Sequence, residues 1–502
     1  MSLKKNILAS YTSQIYVTLI GIVMVPFYVK YMGAEAYGLV GFFAMLQAWF
    51  QLLDMGLTLT MARETARYNG GATDALSLHR LLRAMEGVFI GVAILGGAAM
   101  MAGSGAIAGS WLKVQQLPLM EVQHAIMLMA VIAALRWVSG LYRGAISGFE
   151  RLVWLSGFNI AIATARFVLV IPFFNYVGAS PTDFFIYQLG LAGIEVVVLV
   201  TQTYRLLPKI ATTQRMPWQW TPLRGVLKFS LSIAFASLVW VLVMQADKLV
   251  LSKLLPLTDY AYFTLAVLMA GGVMVISGPI SGALLPRMTK LAFEGDDAGL
   301  MQLYRSATQL VAVVAVPAAL VLAFFPDQVL WAWTGDAVLV SKAAPVLTLY
   351  AIGSGICVIG AFPYYLQYAK GDLKLHLIGN ILFLLMFVPS LIWATWRFGM
   401  TGAGWMWMAS NLTYFMFWVP VVHRRFAPGL HWPWLLRDVI FTSSPVIFLA
   451  WLAQYITSWP VSRVAIGFQL CVLGALLLGI SSLSSSKIRA VLANRFNILG
   501  IV

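Results

Sequence analysis

The chain has 502 residues, of which 61% are hydrophobic and only 10% are charged, and its formal net charge is +15 at pH 7. Soluble domains carry about 25% charged residues, so this balance excludes an ordinary soluble protein and favours one that is embedded in a bilayer. The two cysteines, Cys357 and Cys471, lie in apolar runs, which excludes a disulfide framework or a cysteine metal site.

Apolar runs of about 20 residues recur along the chain, and each is long enough to cross a hydrocarbon core of about 30 Å. The first, from Ile7 to Val29, is too long for the apolar core of a signal peptide, so we interpret it as a membrane span. The sequence therefore predicts an all-α integral membrane protein with about 14 transmembrane helices. In chain order the predicted spans are 7–29, 38–60, 84–106, 123–145, 157–177, 184–204, 229–252, 261–284, 307–326, 343–366, 377–396, 402–422, 438–457 and 464–484.

The basic residues are distributed unevenly between the links that join these spans. With the N-terminus in the cytoplasm, 24 of the 33 Lys and Arg residues lie in cytoplasmic segments, six lie on the opposite side and three lie within spans. Lys and Arg concentrate in cytoplasmic loops of membrane proteins, so we expect both termini to be cytoplasmic. The basicity is then a topology signal and a contact with anionic lipid rather than a nucleic-acid site.

The chain resembles itself at an offset of 223–225 residues. The paired positions include Lys30 with Lys253, Tyr37 with Tyr260, Arg63 with Arg287, Gly71 with Gly295, and Gly148 with Gly371. Each unit holds six spans, an even number, so both units enter the membrane from the same side and the repeat is parallel. We predict an N-lobe at 1–222 and a C-lobe at 223–425 around a central cavity, followed by two helices and a cytoplasmic tail at 426–502.

Ionisable side chains inside the spans indicate a candidate site, because each would cost about 3 kcal/mol at a lipid-facing helix centre. Guanidinium groups stay charged and offer a planar fork that fits phosphate. We therefore predict a cationic cavity in which Arg136, Arg143, Arg166, Lys248 and Arg287 bind an anionic substrate. The alternative is structural: Glu195 neutralises Arg136 or Arg166, and Asp247 neutralises a neighbouring lysine.

Three acids within the predicted spans, Asp54, Asp247 and Glu195, are candidates for coupling transport to a cation, H⁺ or Na⁺. For Asp54 the alternative is a hydrogen-bonded acid at a helix end. Aromatic rings can stack on sugars, and the candidates for this role are Trp240, Tyr364, Tyr365 and Trp405, with packing residues as the alternative.

A repeated G-x-x-x-G pattern in predicted span 4, at Gly140, Gly144 and Gly148, predicts close helix packing. Walker A, H-E-x-x-H and nucleophile-elbow sequences are all absent. We therefore expect no cofactor, no metal and no enzyme activity, and transport driven by an ion gradient, by the substrate gradient or by a partner. The five histidines lie at or near span ends and form no cluster by sequence spacing.

Five segments resemble the Wzx-type O-antigen and polysaccharide flippases, which belong to the multidrug/oligosaccharidyl-lipid/polysaccharide exporter superfamily. They are Asn6–Tyr11, Val25–Gly38, Asp54–Leu57, Arg63-Glu64 and Gln245–Ser252. The resemblance implies two six-helix lobes around a cavity in the bacterial inner membrane. It also implies export of undecaprenyl-pyrophosphate-linked oligosaccharide by alternating access, in company with a polysaccharide polymerase and a chain-length regulator.

Three other functions stay open at this point. A lipid II flippase and a cation-coupled multidrug exporter share the architecture, although an exporter of cations would favour an acidic cavity. A membrane polymerase or ligase is a further alternative, but it needs a substantial outer loop with paired catalytic residues, and the outer links here are short.

The basic-residue count predicts that links 107–122 and 327–342 face the periplasm, because few positive charges flank them. Single cysteines placed in these links should react with an impermeant thiol reagent in intact cells, whereas a cysteine in link 61–83 should react only after lysis. A cytoplasmic result at both outer links would contradict the topology.

Overall fold

The structure, a computed structural model, describes residues 3–54, 56–209, 220–487 and 489. Within these residues the regular secondary structure is entirely helical, which confirms the predicted all-α fold. Part of the predicted link 205–228 and most of the C-terminal tail lie outside the described residues. The chain divides into two compact units, Met1–Ala261 and Tyr262–Val502. The lobe boundaries predicted at residues 222 and 425 remain a prediction.

The first unit is built from long helices joined by short links. Its elements are α1 (Leu3–Met32), α2 (Ala34–Leu52), α3 (Leu57–Asn69), α4 (Ala75–Ala102), α5 (Ser104–Ala106), a π-helical turn π1 (Ile107–Trp111), α6 (Leu119–Gly148), α7 (Leu152–Phe167), α8 (Val170–Tyr176), α9 (Pro181–Leu206), α10 (Thr221–Leu254) and the first residues of α11 (Leu257–Phe293).

The second unit is likewise built from helices joined by short links. After α11 its elements are α12 (Asp297–Phe324), α13 (Pro326–Thr334), α14 (Ala337–Gly360), α15 (Phe362–Ala369), α16 (Lys374–Thr413), π2 (Tyr414–Trp418), α17 (Val419–Phe426), α18 (His431–Pro433), π3 (Trp434–Ile440), α19 (Phe441–Ile456) and α20 (Arg463–Ser484).

Eleven helical segments of the described residues are long and apolar enough to cross a membrane, or 12 if α2 and α3, which meet at 55°, form one span. The segment Lys374–Phe426 has 53 residues, about 80 Å of helix, which is far more than one crossing needs. It bends at Gly399, whose φ is 59° and ψ is −143°, between predicted spans 11 and 12. The protein is therefore a multi-pass membrane protein, and the total of 14 spans remains a prediction.

Helix ends follow local sequence signals. The Asp74 carboxylate accepts the backbone N–H of Ser77 at 3.1 Å and starts α4, while Asp296 accepts that of Gly299 at 2.8 Å and starts α12. The glycines that precede these two caps, Gly71 and Gly295, both have left-handed backbone, with φ of 75° and 73°. They are one of the pairs of the predicted repeat, whose superposition remains a prediction.

The predicted glycine packing on α6 is confirmed, and its partner is α3. A Cβ at Gly140 would lie 3.2 Å from the Thr58 hydroxyl. A Cβ at Gly144 would collide with the Thr58 carbonyl oxygen, and one at Gly148 with the Ala62 carbonyl oxygen. The three glycines therefore let α3 lie directly against α6, as small-residue stripes do in membrane helices.

A buried carboxylate anchors the link after π1 in the first unit. Glu35, 4% exposed, accepts backbone N–H groups of Gln115 at 2.5 Å, Gln116 at 2.8 Å and Leu117 at 3.1 Å. Three N–H donors satisfy the charge, and no ion pair of the described residues includes Glu35. The start of α2 is thereby tied to this link.

In the second unit a buried acid joins α12 to the segment before α19. Asp438, 0% exposed, accepts from Arg305 Nε at 2.5 Å and Nη2 at 3.1 Å, and from Gln309 Nε2 at 2.6 Å. Gln309 Oε1 accepts in turn from the Ser485 hydroxyl at 2.8 Å, just beyond α20. One polar network therefore holds both of the last two long helices to α12.

The tight contact of α6 with α3 makes Gly144→Ala destabilising. The new methyl group would strike backbone, which cannot rotate away, and such overpacking costs about 1–3 kcal/mol. We expect a lower melting temperature for the purified protein in detergent. Gly91→Ala on α4 is the matched control: its Cβ would meet nothing within 4 Å, so it should keep or raise the melting temperature. Equal melting temperatures for the two variants would contradict the packing.

Candidate functional site

The predicted arginines of the first unit lie on helices that pack together. Arg136 and Arg143 lie on α6, Arg166 lies near the end of α7, and α9 packs along α6. Seven residues separate Arg136 from Arg143, which is about two helical turns or 10 Å, so both side chains leave nearly the same face of α6. The helices thus bring three of the five predicted basic residues into one region.

Glu195 on α9 is the carboxylate at the centre of this region. Its Oε1 accepts from Arg143 Nη2 at 2.6 Å, and its Oε2 accepts from Arg166 Nη2 at 2.8 Å. Glu195 is 5% exposed, whereas the side chains of Arg143 and Arg166 are 29% and 23% exposed. Glu195 thus pairs with Arg166, one of the two arginines that the structural alternative offered, and also with Arg143, which that alternative did not include.

Arg136 has a different environment. Its Nη2 donates to Gln188 Oε1 at 2.8 Å, and its guanidinium lies 5.3 Å from the ring centre of Phe43. Its Nε is buried and has no hydrogen-bond partner among the described residues. Gln188 also donates to the backbone oxygen of Arg166 at 3.3 Å, so the amide connects the two arginine environments.

The charges in this region do not balance. Arginine stays protonated in proteins, so three guanidiniums bring three positive charges, and Glu195 returns one negative charge. A residual charge of about two positive units in an apolar protein interior attracts an anion, since low dielectric strengthens the attraction.

A cavity of about 460 Å³ opens beside Arg143 and Arg166. Its walls come from α1, α6 and α7 and are mainly polar on the α1 side. The lining residues are Ser10, Ser13, Gln14, Val17, Thr18, Arg143, Leu152, Leu155, Ser156, Asn159, Ile162, Ala163 and Arg166. Asn159 Oδ1 accepts from Arg143 Nη1. Arg136 is not among the lining residues, so the prediction that it shares a cavity with Arg143 is not supported by this cavity.

The other predicted basic residues lie elsewhere. Lys248, on α10, donates from Nζ to the backbone oxygen of Met244 at 3.1 Å, and its backbone N–H donates to Asp247 Oδ1 at 2.7 Å. Asp247 is buried, at 3% exposed. Arg287 lies on α11 in the second unit and is exposed. Substrate binding by Lys248 or Arg287 therefore remains a prediction.

Asp54 lies at the bend between α2 and α3. Its Oδ1 accepts from the Thr58 hydroxyl at 2.6 Å and from the Thr58 backbone N–H at 3.2 Å. These bonds are those of a carboxylate that caps a helix start. A role in ion coupling remains a prediction for Asp54, Asp247 and Glu195.

The candidate sugar-stacking residues do not form one group. Tyr364 and Tyr365 contact each other, with ring centres 5.4 Å apart, and Tyr364 also contacts the His376 ring at 4.4 Å. Trp405 is 51% exposed. Trp240 belongs to α10, but its side chain lies outside the described part of the structure. Sugar binding remains a prediction for all four.

Two polar features of the structure were not predicted from the sequence. The α1 side of the cavity has a readable signal, because Ser10, Gln14 and Thr18 recur at the four-residue spacing of one helix face. The second feature is a contact between two histidines that lie eight residues apart in the chain. The Nδ1 atoms of His423 and His431 lie 3.0 Å apart, since the chain turns between α17 and α18.

Comparison with known proteins places the chain among membrane proteins of polysaccharide synthesis. The family described as "Polysaccharide biosynthesis protein" matches residues 3–292. The chain belongs to this family. No curated protein matches the chain by sequence.

Solved structures of transporters share the fold of this family member. The lipid II flippase MurJ, in an inward closed conformation, has 11% sequence identity and a TM-score of 0.71, covering 96% of this chain and 98% of that chain. An inward-facing multidrug resistance MATE transporter of the MOP superfamily has 15% identity and a TM-score of 0.64, covering 82% and 96%. The MATE multidrug transporter DinF-BH has 15% identity and a TM-score of 0.60, covering 88% and 96%.

The arginine pair held by Glu195 makes Glu195→Gln strongly destabilising. Removing the buried carboxylate leaves Arg143 and Arg166 facing each other, and loss of one partner of a buried pair costs about 3–5 kcal/mol; the lower end is expected here because both arginines are partly exposed. The melting temperature of the purified protein should fall. The control is Glu294→Gln, whose pair with Lys290 lies at 3.6 Å on the surface and should contribute little.

A double variant separates charge pairing from a general packing defect. Arg143→Gln combined with Glu195→Gln should lose less stability than the sum of the two single changes, because residues in one ion-pair network are coupled. Additive losses would contradict the charge balance described for this site.

Proposed function

We propose that the protein is a flippase that moves undecaprenyl-pyrophosphate-linked oligosaccharide units, of an O-antigen or another surface polysaccharide, across the bacterial inner membrane by alternating access. One observation carries the proposal: Arg143 and Arg166 share a single carboxylate at the wall of a cavity. Membership in the polysaccharide biosynthesis family and the transporter fold support it.

The arginine pair suits a pyrophosphate for a geometric reason. A guanidinium has five N–H donors, and Glu195 and Asn159 use two of those of Arg143 and one of those of Arg166. The remaining donors can bind a second anion in the planar, bidentate manner that phosphate oxygens favour. A pyrophosphate would neutralise the excess positive charge of the three arginines.

Arg136 gives the anion a second position deeper in α6. It lies about two turns from Arg143 on the same face, and it makes one hydrogen bond to a neutral amide. An anion that leaves Arg143 would meet Arg136 next, so the spacing provides successive attractive sites along one helix. Lys248 and Arg287 are further candidates for such contacts.

The rival functions make different demands on the site. A lipid II flippase also carries a pyrophosphate, so the charge alone does not separate it from the proposed function. An exporter of cationic drugs needs an acidic cavity, whereas the cavity here is lined by two arginines. The energy source we propose is a proton or sodium gradient, with Asp54 or Asp247 as the coupling acid.

The proposal predicts that Arg143→Ala and Arg166→Ala abolish transport. Loss of a hydrogen bond to a charged group weakens binding by at least about tenfold, and lysine should restore function only in part because it lacks the guanidinium fork. The measurement is surface polysaccharide in a strain that lacks its own polysaccharide flippase, with protein levels checked by immunoblot. Arg136→Ala should show the same loss.

Two comparisons make the result specific. Arg397→Ala, an exposed arginine whose guanidinium lies 5.3 Å from the ring centre of Trp396, should export at the wild-type level. The wild-type gene should not rescue a strain depleted of its lipid II flippase. Export at the wild-type level by Arg143→Ala would overturn the anion site, and rescue of the lipid II strain would favour the rival flippase.

A further inference from the structure

Five polar side chains on the cavity wall make no hydrogen bond with any other described residue. They are Ser10, Ser13, Gln14, Thr18 and Ser156. Ser13 and Ser156 are 3% and 6% exposed, so each is largely enclosed by protein, and both residues line the cavity. Enclosed polar groups normally have partners, so the two unpartnered serines indicate a ligand that supplies them.

The α1 members of this set form one continuous surface. Ser10, Ser13, Gln14 and Thr18 follow the three- and four-residue spacings of a helix face. Two tyrosines of α1 fix the orientation of that face: the Tyr16 hydroxyl bonds the Thr164 hydroxyl at 2.7 Å, and the Tyr28 hydroxyl donates to the Phe167 backbone oxygen at 2.9 Å. The polar surface is therefore held in place beside α7 before any ligand arrives.

Asn159 joins this surface to the arginine pair. Its Oδ1 accepts from Arg143 Nη1, so its Nδ2 is left as a donor beside the guanidinium. Hydroxyl and primary amide groups both donate and accept, whereas guanidinium groups only donate. The cavity thus combines a cationic end with a neutral wall that can donate hydrogen bonds to a hydroxyl group or accept them from it.

This combination fits a ligand in which a phosphate is bonded directly to a polyol. The phosphate would pair with Arg143 and Arg166, and the hydroxyls would bond the α1 wall. The volume of about 460 Å³ falls within the range of small-molecule sites, so the cavity takes one part of a lipid-linked oligosaccharide rather than the whole.

We propose that the face of α1 formed by Ser10, Ser13, Gln14 and Thr18 is a polyol-binding wall that takes the sugar bonded to the phosphate. The proposal deepens the flippase function above and rests on it for the position of the phosphate. A phospholipid head group that joins phosphate to glycerol has the same chemistry, so the two sources must be separated by experiment.

Isothermal titration calorimetry on the whole chain, in nanodiscs of zwitterionic lipid, tests whether this face of α1 binds a polyol. The probes are inorganic phosphate and glucose 1-phosphate. Wild type should bind glucose 1-phosphate about tenfold more tightly than phosphate, the gain of one or two neutral hydrogen bonds. Ser10→Ala, Gln14→Ala and the pair combined should reduce that ratio towards one and leave the phosphate affinity within about twofold. Both residues are exposed, so the variants should fold.

Thr12→Val is the matched control, since Thr12 is an exposed α1 hydroxyl residue outside the cavity wall, and it should keep the wild-type ratio. If the α1 variants also keep the wild-type ratio of affinities while Arg143→Ala weakens the binding of both probes, the polyol-binding wall is refuted and the phosphate site is supported. If Arg143→Ala leaves phosphate binding unchanged, the proposed function fails. If phosphatidylglycerol in the nanodiscs prevents glucose 1-phosphate binding, the occupant is a lipid head group and the sugar assignment is overturned.

Discussion

An arginine inside a membrane helix needs a counter-charge, an acceptor or water, because an unpaired guanidinium is costly in hydrocarbon. The first unit meets this need for three arginines with one buried carboxylate, Glu195, and one amide, Gln188. The arrangement is stable enough to fold, yet it leaves positive charge in excess. The arginine cluster is thus incomplete on its own, and an anionic ligand would complete it.

The packing of α6 supports this site from behind. Its glycines let α3 approach to backbone contact, and backbone contact leaves little room for the helix to shift. Arg136 and Arg143, on the same helix, carry the guanidinium groups that contact α7 and α9. The Glu35 anchor on α2 and the tyrosines of α1 fix neighbouring helices with hydrogen bonds rather than charge pairs. A rigid frame therefore surrounds a site whose charges are unbalanced.

The sequence predicts much of this frame and less of the site. Apolar length and G-x-x-x-G spacing are local properties, so the segment predicted at 123–145 appears as α6 at Leu119–Gly148 with its glycines packed as expected. Which acid meets which base depends on how α6, α7 and α9 pack, and sequence spacing does not encode that. Sequence spacing alone did not predict that Arg143 pairs with Glu195, as it does in the structure. Likewise, the hydroxyl groups of α1 line a cavity only because α7 packs opposite them. His423 contacts His431 only because the chain turns between α17 and α18.

We propose that the incomplete arginine cluster binds a lipid-linked pyrophosphate. An experimental structure in nanodiscs, determined with a bound undecaprenyl-pyrophosphate-linked sugar, tests it most directly. We expect phosphate oxygens within hydrogen-bonding distance, about 3 Å, of the guanidiniums of Arg143 and Arg166, with Glu195 still in place between them. A pyrophosphate bound elsewhere, with no contact to either arginine, would contradict it.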